Sequence, residues 1–407
     1  MRRGMAVCLV LGLVLAGCSS SGRGTTRSTT AASTTRSSAT ATRTATATTS
    51  AAAPHSPAAA PPQLTHFRVA DLTWIGTAGW ALGSADCLTG HGTCDAIEHT
   101  TDGGKTWQSM PAPRANISLP GSVGGCASPC ISGLRFATSK IGYAFNGFTV
   151  SAPALFMTTN GGQSWQRGPG GALALESANG NVIRVVSSGS GCPGPCHVGI
   201  ETSAVGSTAW TPRSLGQTPA TYGLDFDRTG ARAYLLFEGH VAGGAQNARS
   251  ILYRSGDNGV AWHSGGEPCP QAGSQEVDSV ALSSAPDGGL AILCRYRGAS
   301  GGQFVITSTN GGASYRAGSR TALGAAPVGA FGAASAQVLV VTSDQAYRST
   351  DGGNHFERLG ANAGSSPGQL GWLGFESPTV GHGIAADRRS VWTTADAGVT
   401  WSRHTFG

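Results

Sequence analysis

The stretch Thr100-Thr101-Asp102-Gly103-Gly104-Lys105-Thr106-Trp107 decides the fold of this 407-residue chain, because its pattern recurs along the sequence. Each copy has a Ser or Thr, an Asp or Asn two residues later, a Gly two residues after that, and an aromatic residue at its end. Further copies begin at Thr158, Ser255, Ser308, Ser349 and Thr394, and a worn copy with Ala204 at the acidic position runs from Thr202 to Trp210. We call each of these seven copies a turn motif. Their regular recurrence predicts a repeat architecture.

The turn motif has the residue types of a tight hairpin. An Asp or Asn side chain accepts hydrogen bonds from backbone N–H groups just ahead of it, and Gly adopts positive φ without a Cβ penalty. The closing aromatic ring is expected to fold back and bury about 150–250 Å² against the adjoining sheet. We therefore expect structural roles for Asp102, Trp107, Asn160, Trp165, Trp210, Asp257, Trp262, Asn310, Tyr315, Asp351, Phe356, Asp396 and Trp401.

The Ser/Thr-x-Asp-x-Gly-x-Thr/Ser-Trp pattern resembles the Asp-box, or BNR repeat, of sialidase-like β-propellers. The segments 79–83 (GWALG) and 142–144 (GYA) resemble strands of the photosystem II assembly factor family of propellers. The resemblance covers Asp71 to Gly407. It implies a ring of blades, an outer hairpin position for each Asp-box away from any substrate, and a scaffold or assembly role in general.

Composition agrees with this class of fold. Gly makes up 62 of the 407 residues and charged residues only 12%, which suits short strands and tight turns, and no long stretch has apolar residues at helical spacing. We predict an all-β, seven-bladed propeller with four-stranded antiparallel blades. Residues 1–70 hold seven Arg and no acid, so residues 71–407 hold 20 of the 27 basic and all 21 acidic side chains. The near-neutral charge of residues 71–407 argues against a nucleic-acid partner. We also expect a monomer.

The N-terminal region has the layout of an export signal. Met1-Arg2-Arg3 precedes an apolar run from Met5 to Ala16 that is too short to span a bilayer. Leu15-Ala16-Gly17-Cys18 resembles a bacterial lipobox, which implies lipid attachment at Cys18; the alternative is an ordinary signal peptide that ends beside a Cys. We expect a lipoprotein signal peptide at 1–17 and a disordered Ser/Thr/Ala/Pro-rich tether at 18–62. A propeller at 63–407 would then sit on the extracytoplasmic side of the cell membrane.

Four strands are predicted in each blade. Blade one is read as Leu72–Ile75, Gly79–Gly83, Ala96–Thr100 and Trp107–Met110, and later blades start near Leu134, Leu173, Tyr222, Val277, Val328 and Leu370. For closure of the ring, we favour a strand from Leu64–Val69 added to blade seven over simple packing of blade seven on blade one.

The connections between strands divide between two faces. Because successive strands run up and down, the first–second and third–fourth connections share one face, which we call the turn face. The remaining connections share the other, which we call the loop face. Length accumulates on the loop face, in the segments 84–95, 111–130, 187–197, 238–249 and 264–276.

The cysteines also point to the loop face. Besides Cys8 and Cys18 there are eight, an even number in an exported chain, and spacing pairs Cys87 with Cys94, Cys126 with Cys130, Cys192 with Cys196 and Cys269 with Cys294. Cys87, His91 and Cys94 with Asp86 or Asp95 form the alternative, a metal cluster. No second Cys pair completes a tetrahedral site, so we favour the disulfide and expect no metal and no cofactor.

Catalytic motifs are mostly absent. The chain lacks the Arg-Ile-Pro type of motif that opens sialidase domains, and it has no Gly-x-Ser-x-Gly elbow, phosphate loop or zincin helix. We therefore predict binding of a protein or glycan partner by the loop face. The alternative is a glycoside hydrolase, which needs two carboxylates about 5–10 Å apart in a central cleft. The candidate residues of this face are Asp86, His91, Asp95, His197, Glu238, Glu267, Arg295, Arg297, Asp344 and Asp387.

Overall fold

The computed structural model describes residues 64–87, 93–120, 126, 128–147, 154–188, 196–216, 218, 221, 223–237, 250–270, 277–296, 302–320, 322–323, 327–359 and 366–407. These residues contain thirty β-strands and no helix. Within the same ranges, no helical segment is long and apolar enough to cross a bilayer. The predicted signal peptide, Cys18 and the tether lie outside the described residues.

The strands follow one another blade by blade. Blade one contains β1 (Leu64–Ile75), β2 (Ala78–Cys87), β3 (Thr93–Thr100) and β4 (Gln108–Pro111), and a short pair follows as β5 (Asn116–Ile117) and β6 (Cys130–Ile131). Blade two contains β7 (Gly133–Phe136), β8 (Gly142–Phe145), β9 (Leu155–Thr158) and β10 (Gln166–Arg167). Blade three contains β11 (Ala174–Ala178), β12 (Asn181–Ser187), β13 (Val198–Ala204) and β14 (Thr211–Arg213).

Blades four to seven repeat this order. Blade four contains β15 (Leu224–Thr229), β16 (Arg232–Phe237), β17 (Ile251–Ser255) and β18 (His263–Ser264). Blade five contains β19 (Val277–Ser284), β20 (Leu290–Tyr296), β21 (Gln303–Ser308) and β22 (Arg316–Ala317). Blade six contains β23 (Ala330–Ala333), β24 (Leu339–Thr342), β25 (Ala346–Ser349) and β26 (Glu357–Arg358). Blade seven contains β27 (Leu370–Phe375), β28 (Gly381–Ala385), β29 (Ser390–Thr394) and β30 (Ser402–Thr405).

Each blade is a four-stranded antiparallel sheet of consecutive strands. The first strands of successive blades contact one another, from β1 with β7 through to β23 with β27, so the first strand of every blade faces the centre of the ring. The predicted all-β, seven-bladed propeller is confirmed.

Closure of the ring differs from the expectation. Leu64–Val69 forms the first half of β1, where Leu64 pairs with Cys87 and Val69 with Gly83, and β30 pairs with β29. The expected extra strand on blade seven is therefore wrong. The reason is the length of β2, which reaches Cys87 and pairs with the early half of β1 as well as the late half. Blade seven packs on blade one instead, with Val69 N–H donating to the Arg388 carbonyl at 2.8 Å.

The turn motifs share one hydrogen-bond pattern. Asp102 Oδ1 accepts the backbone N–H groups of Lys105 and Thr106, both at 3.0 Å, and Thr100 Oγ1 accepts the Gly104 N–H at 3.0 Å. Gly104 has φ +87°, a left-handed value that favours glycine. The N–H four residues ahead also donates to the side chain of Asn160, Asp257, Asn310, Asp351 and Asp396. This is the hairpin that the residue pattern predicts.

The worn copy keeps its turn by other means. Ser203 Oγ donates to the Ala209 carbonyl at 2.8 Å, and the Gly206 N–H donates to the Tyr143 hydroxyl of the preceding blade at 2.8 Å. The guanidinium of Arg184 lies 4.0 Å from the centre of the Trp210 ring. A cation–π contact and a link between blades therefore stand where the other copies have a carboxylate or a carboxamide.

Aromatic–glycine pairs explain the GWALG and GYA segments. Across the first two strands Phe136 pairs with Gly142, where an added Cβ would come within 2.8 Å of the Phe136 ring. The residue after the equivalent Gly79 is Trp80, which stacks on Phe136 of the next blade at 3.9 Å and donates to the Gly161 carbonyl at 3.2 Å. Glycine thus makes room for one ring, and the next residue joins two blades.

Candidate functional site

The first strands of all seven blades surround a central cavity of about 540 Å³. Its lining includes residues from each blade, among them Leu72, Arg135, Glu176, Asp227, Ser284, Phe331 and Trp372. Trp74, Ile75, Thr229 and Glu376 stand at or just past the ends of first strands, so the cavity lies toward the turn face. It is therefore at the opposite end of the ring from the long connections.

A single arginine holds three carboxylates in this cavity. Arg135 Nη2 lies 2.8 Å from Glu176 Oε1, and Asp71 and Asp227 interact electrostatically with the same guanidinium. Burial alone would lower the pKa of Arg135, but these three acids raise it above the usual range. Arg135 therefore stays charged and is shared among acids from blades one, three and four.

Glu176 has a strongly raised pKa. Burial raises its pKa from 4.5 to about 7, with Asp227 and Asp71 adding to the rise and Arg135 and Arg228 opposing it. Its side chain retains 16% of its exposure because it faces the cavity. Burial also raises the pKa values of Asp71 and Asp227. Burial is the largest cause of all three rises. Perturbed carboxyl groups that share a cavity mark a candidate functional site.

The aspartates of the cavity wall also join neighbouring blades. Asp71 Oδ2 accepts the Leu134 N–H at 2.7 Å, and Asp227 Oδ2 accepts the Ser284 N–H at 2.6 Å. Asp225 Oδ2 does the same for Leu282 at 2.8 Å. One oxygen of each aspartate is thus bonded to a strand of the next blade.

Sequence reasoning missed this cluster. Asp71, Glu176, Asp225 and Asp227 were not among the candidate residues, although Asp225 and Asp227 alternate with Phe226 on one predicted first strand. Alternate residues of a strand face the same side, and the inner strands of a ring face its centre. That alternation is the signal that could have found them.

The cystines lie on the loop face. Cys87–Cys94, Cys126–Cys130 and Cys269–Cys294 are formed, with Cα–Cα distances of 5.2, 5.8 and 5.9 Å. Cys196 is disulfide-bonded, and its predicted partner Cys192 lies outside the described residues. Cys87–Cys94 joins the end of β2 to the start of β3, and Cys126–Cys130 lies just before the first strand of blade two. Cys269–Cys294 joins the segment before β19 to β20. The parallel pair β5–β6, which was not predicted, also braces this face.

The predicted loop-face candidates are spread around the ring. Asp86 contacts His66 at 2.9 Å, and Asp95 is buried enough to raise its pKa to about 6. Asp387 accepts the Arg389 N–H at 3.0 Å on blade seven, whereas Asp344 lies on blade six. Asp86 and Asp95 lie on the paired strands β2 and β3 of blade one, and the other acids lie on other blades. None of them, nor Glu267, lines the cavity.

The other candidates differ in what surrounds them. A ring nitrogen of His197 lies 3.1 Å from the Thr218 carbonyl, and Arg295 is exposed at the end of β20. His91, Glu238 and Arg297 lie outside the described residues. Within the described ranges, no group of three or more His, Cys, Asp or Glu residues is arranged to hold a metal ion.

One rigid cluster on the loop face was also missed. Arg320 Nη1 donates to the Tyr296 hydroxyl at 2.9 Å, and its guanidinium lies 5.3 Å from the centre of the Phe304 ring. Tyr296 ends β20, two residues after the bonded Cys294. A disulfide, a hydrogen bond and a cation–π contact therefore fix the same corner of blade five.

Comparison with known proteins gives fold similarity. No protein-family model and no curated protein matches the chain. A structure of YCF48 bound to D1 peptide has 16% identity and a TM-score of 0.50, covering 88% of this chain and 99% of that one. YCF48 from Cyanidioschyzon merolae has 15% identity and a TM-score of 0.52, with coverages of 85% and 97%. A PL25 polysaccharide lyase, an ulvan lyase bound to -[GlcA(1-4)Rha3S]-, has 11% identity and a TM-score of 0.50, with coverages of 86% and 94%. At these identities the similarity shows the fold alone.

Proposed function

We propose that this chain is a lipid-anchored, extracytoplasmic propeller that binds a protein or glycan partner with its loop face. The observation that carries the proposal is the covalent bracing of that face by Cys87–Cys94, Cys126–Cys130 and Cys269–Cys294. In the chain-entropy model each short bridge removes about 2–3 kcal/mol of loop freedom. A surface ordered before binding loses less entropy when a partner docks.

Neighbouring structures support both classes of partner. The YCF48 structure that aligns over 99% of its length holds a peptide of D1, and the ulvan lyase holds a saccharide. Folds of this shape therefore accept either ligand, and the choice for this chain is a matter for experiment.

The location follows from the N-terminal sequence. The lipobox-like Leu15–Cys18 would anchor the chain, and the 44 residues after Cys18, up to Pro62, would span about 35–40 Å as a coil. Replacing the thiol, in Cys18→Ser, is expected to move the chain from the membrane fraction to the soluble fraction. Retention of the variant in membranes would contradict lipid anchoring.

The binding test uses the propeller, residues 64–407, as bait against an envelope extract and on a glycan array. Arg320→Ala, which breaks the cluster with Tyr296 and Phe304, is expected to weaken capture on the loop face. Lys105→Ala, on an exposed turn motif of the opposite face, is the matched control and is expected to bind as the parent does. Loss of capture by the Lys105 variant alone would assign binding to the turn face and contradict the proposal.

Glycoside hydrolysis by loop carboxylates takes second place. It needs two acids facing one cleft. Asp86 and Asp95 are neighbours on β2 and β3 of blade one, but neither they nor Glu267, Asp344 and Asp387 line the central cavity. Release of reducing ends from wall polysaccharides, lost in Asp95→Asn, would reverse this order. Asp95 is the acid to test because burial raises its pKa to about 6.

A further inference from the structure

We propose that the central cavity is a second binding site, for an organic cation that carries a guanidinium or ammonium group on an aliphatic chain. Such a group occurs on Arg and Lys side chains of peptides and on free polyamines. The cavity opens toward the turn face, so this site is separate from the loop face. The proposal does not depend on partner binding at the loop face.

The charge balance of the cavity is the first reason. The carboxylates of Glu176, Asp225, Asp227 and Glu376 line it, and Asp71 lies beside Arg135 at its wall. Arg135 and Arg228 are the arginines of the lining, and Arg388 reaches Asp71 from blade seven. Among the described residues, five carboxyl groups thus face three guanidinium groups, and Glu176, with a pKa of about 7, is partly protonated at pH 7. A ligand cation would offset the excess negative charge in an enclosed space, where such attraction is stronger than in water.

Arg228 contributes less to that balance than its position suggests. Its guanidinium donates to the backbone carbonyls of Gly230, Asn181 and Ala178 at 3.0–3.1 Å. These bonds turn it toward the junction between blades three and four. Arg135 interacts with all three of Glu176, Asp71 and Asp227, while Arg388 also acts on Asp71 and Arg228 on Glu176.

Glu376 is an exposed carboxylate of the lining, one residue past the end of β27. A ring nitrogen of His382 lies 3.2 Å from its Oε1. Burial lowers the pKa of His382, so the imidazole is neutral at pH 7 and does not cancel the carboxylate charge.

The walls suit an aliphatic cation. Apolar and aromatic residues such as Leu282, Trp372 and Phe375 belong to the lining, whereas the rings of Phe136 and Trp74 stack on Trp80 and His382. The apolar part of the wall can pack against the methylene groups of such a ligand. The Ser284 hydroxyl is a further acceptor. It is 8% exposed, lines the cavity and lies close enough to Asp227 to lower that group's pKa, but no described residue is its partner in hydrogen-bond geometry. An unpartnered buried hydroxyl beside a carboxylate is a position for a ligand N–H group.

Size and access agree with this ligand. Cavities that hold small ligands usually measure about 300–1,000 Å³, and this one measures about 540 Å³. Ile75 is 37% exposed at its edge, and Gly230 and Glu376 are exposed as well. A side chain of an incoming peptide can therefore enter from the turn face.

The test compares a cation with its neutral isostere on the full chain in neutral detergent. Acetyl-Gly-Arg-Gly-amide and the same tripeptide with citrulline have the same shape and differ in charge, and titration is followed by calorimetry. We expect the arginine peptide to bind at least about tenfold more tightly than the citrulline peptide, because only the guanidinium meets the carboxylates as a cation. Spermidine forms a parallel arm; tighter binding of spermidine than of the arginine peptide would identify a free polyamine as the source.

Variants test the site itself. Glu376→Gln and Glu176→Gln are each expected to weaken the favoured cation about five- to tenfold, and neither removes a backbone contact between blades. Asp344→Asn, an exposed acid of blade six, is the matched control and is expected to leave the affinity unchanged. Two results with the unmodified chain overturn the proposal. One is equal binding of the arginine and citrulline peptides, and the other is no saturable binding of either the arginine peptide or spermidine. Equal loss in the Asp344 variant overturns it as well, because the effect would then be long-range charge and not contact.

Discussion

At the scale of single residues, the conspicuous acids of this sequence are structural. The hydroxyl and the N–H of Thr106 hold the pKa of Asp102 well below its usual range, and the Ala261 N–H does the same for Asp257. These side chains are ionised acceptors that complete a turn. The chemically unusual acids are instead Glu176 and its neighbours on the inner strands, which no local motif marks.

The turn motif gives a prediction for stability, and the Asn found in other copies of the motif suggests the control variant. Asp257→Ala removes the acceptor for the N–H groups of Val260 and Ala261, at 3.1 and 2.9 Å, and is expected to lower the free energy of unfolding by about 1 kcal/mol. Asp257→Asn is expected to lower it by only about 0.3 kcal/mol, because Asn keeps one acceptor oxygen, as at Asn160. Urea unfolding measures both. Equal losses would mean that the charge matters more than the acceptor geometry.

Glu176 gives a prediction for pH dependence. Its folded-state pKa of about 7 exceeds the ordinary 4.5, so the folded state binds the proton more tightly than the unfolded state. Its contribution to stability is present below pH 4.5 and is lost as pH rises through 7. The loss is at most about 3 kcal/mol.

The substitution Glu176→Gln removes the titrating carboxyl group. The free energy of unfolding is therefore expected to change less between pH 4.5 and pH 7 than in the parent. Exposed Glu357→Gln is the control and should keep the parental slope. Denaturant unfolding at a series of pH values measures the slope, and an unchanged slope in the Glu176 variant would contradict the assignment.

At the scale of elements, blades one, two and seven share an aromatic residue on the first strand that faces a glycine on the second. Trp74 pairs with Gly79, Phe136 with Gly142, and Phe375 with Gly381. The residue after the glycine then reaches the neighbouring blade, as in the stacking of His382 on Trp74 at 3.9 Å. The same short segment therefore sets the packing within a blade and between blades.

The glycine role is tested by adding one methyl group. In Gly142→Ala the new Cβ would lie 2.8 Å from the Phe136 ring, so the ring must shift and its 3.9 Å stacking on Trp80 is disturbed. We expect a loss of about 1–3 kcal/mol in the free energy of unfolding. Gly199→Ala is the matched control on another strand, where the nearest atom would be 3.5 Å away, and it is expected to be neutral or stabilising by about 0.5 kcal/mol. Thermal unfolding of both variants decides, and a larger loss at Gly199 would contradict the packing argument.

At the scale of the whole molecule, the ring is closed by side chains together with a few backbone bonds, and not by a shared sheet. Phe67 meets Phe406 at 5.1 Å, and Trp107 meets Phe406 at 5.3 Å. The last residues of the chain therefore seal the junction of blades seven and one. Since contacts across this junction link the two ends of the described chain, their loss should affect the whole ring.

Phe406→Ala tests the closure. Phe406 is 7% exposed, and its loss is expected to lower the free energy of unfolding by about 3 kcal/mol. Hydrogen exchange should also become faster in β1 and β28, on the two sides of the junction. Thr405→Ala, exposed one residue earlier, is the control and should change stability by less than about 0.5 kcal/mol. If exchange becomes faster only in β30, the propeller closes without the contacts of the Phe406 side chain.

Much of the fold was predictable because its signals are local. The contacts of Asp102 span four residues, and Cys87 and Cys94 are only seven residues apart, so their pairing follows from short-range geometry. The order of four strands per blade follows from the recurrence of the same turn. The number of blades, their strand order and the three described disulfide pairs therefore agree with what the sequence indicates.

What the tertiary structure alone decided is the set of contacts that cross between blades. Asp71 meets Leu134 from 63 residues away, and Asp227 meets Ser284 from 57 residues away. The charged cavity exists only when seven such strands face one centre, and the closure at Phe406 depends on how far β2 extends along β1. The turn motifs depend on residues that are neighbours in the sequence. The central cavity and the junction of blades seven and one depend on the whole ring, because they are formed by strands that lie far apart in the sequence.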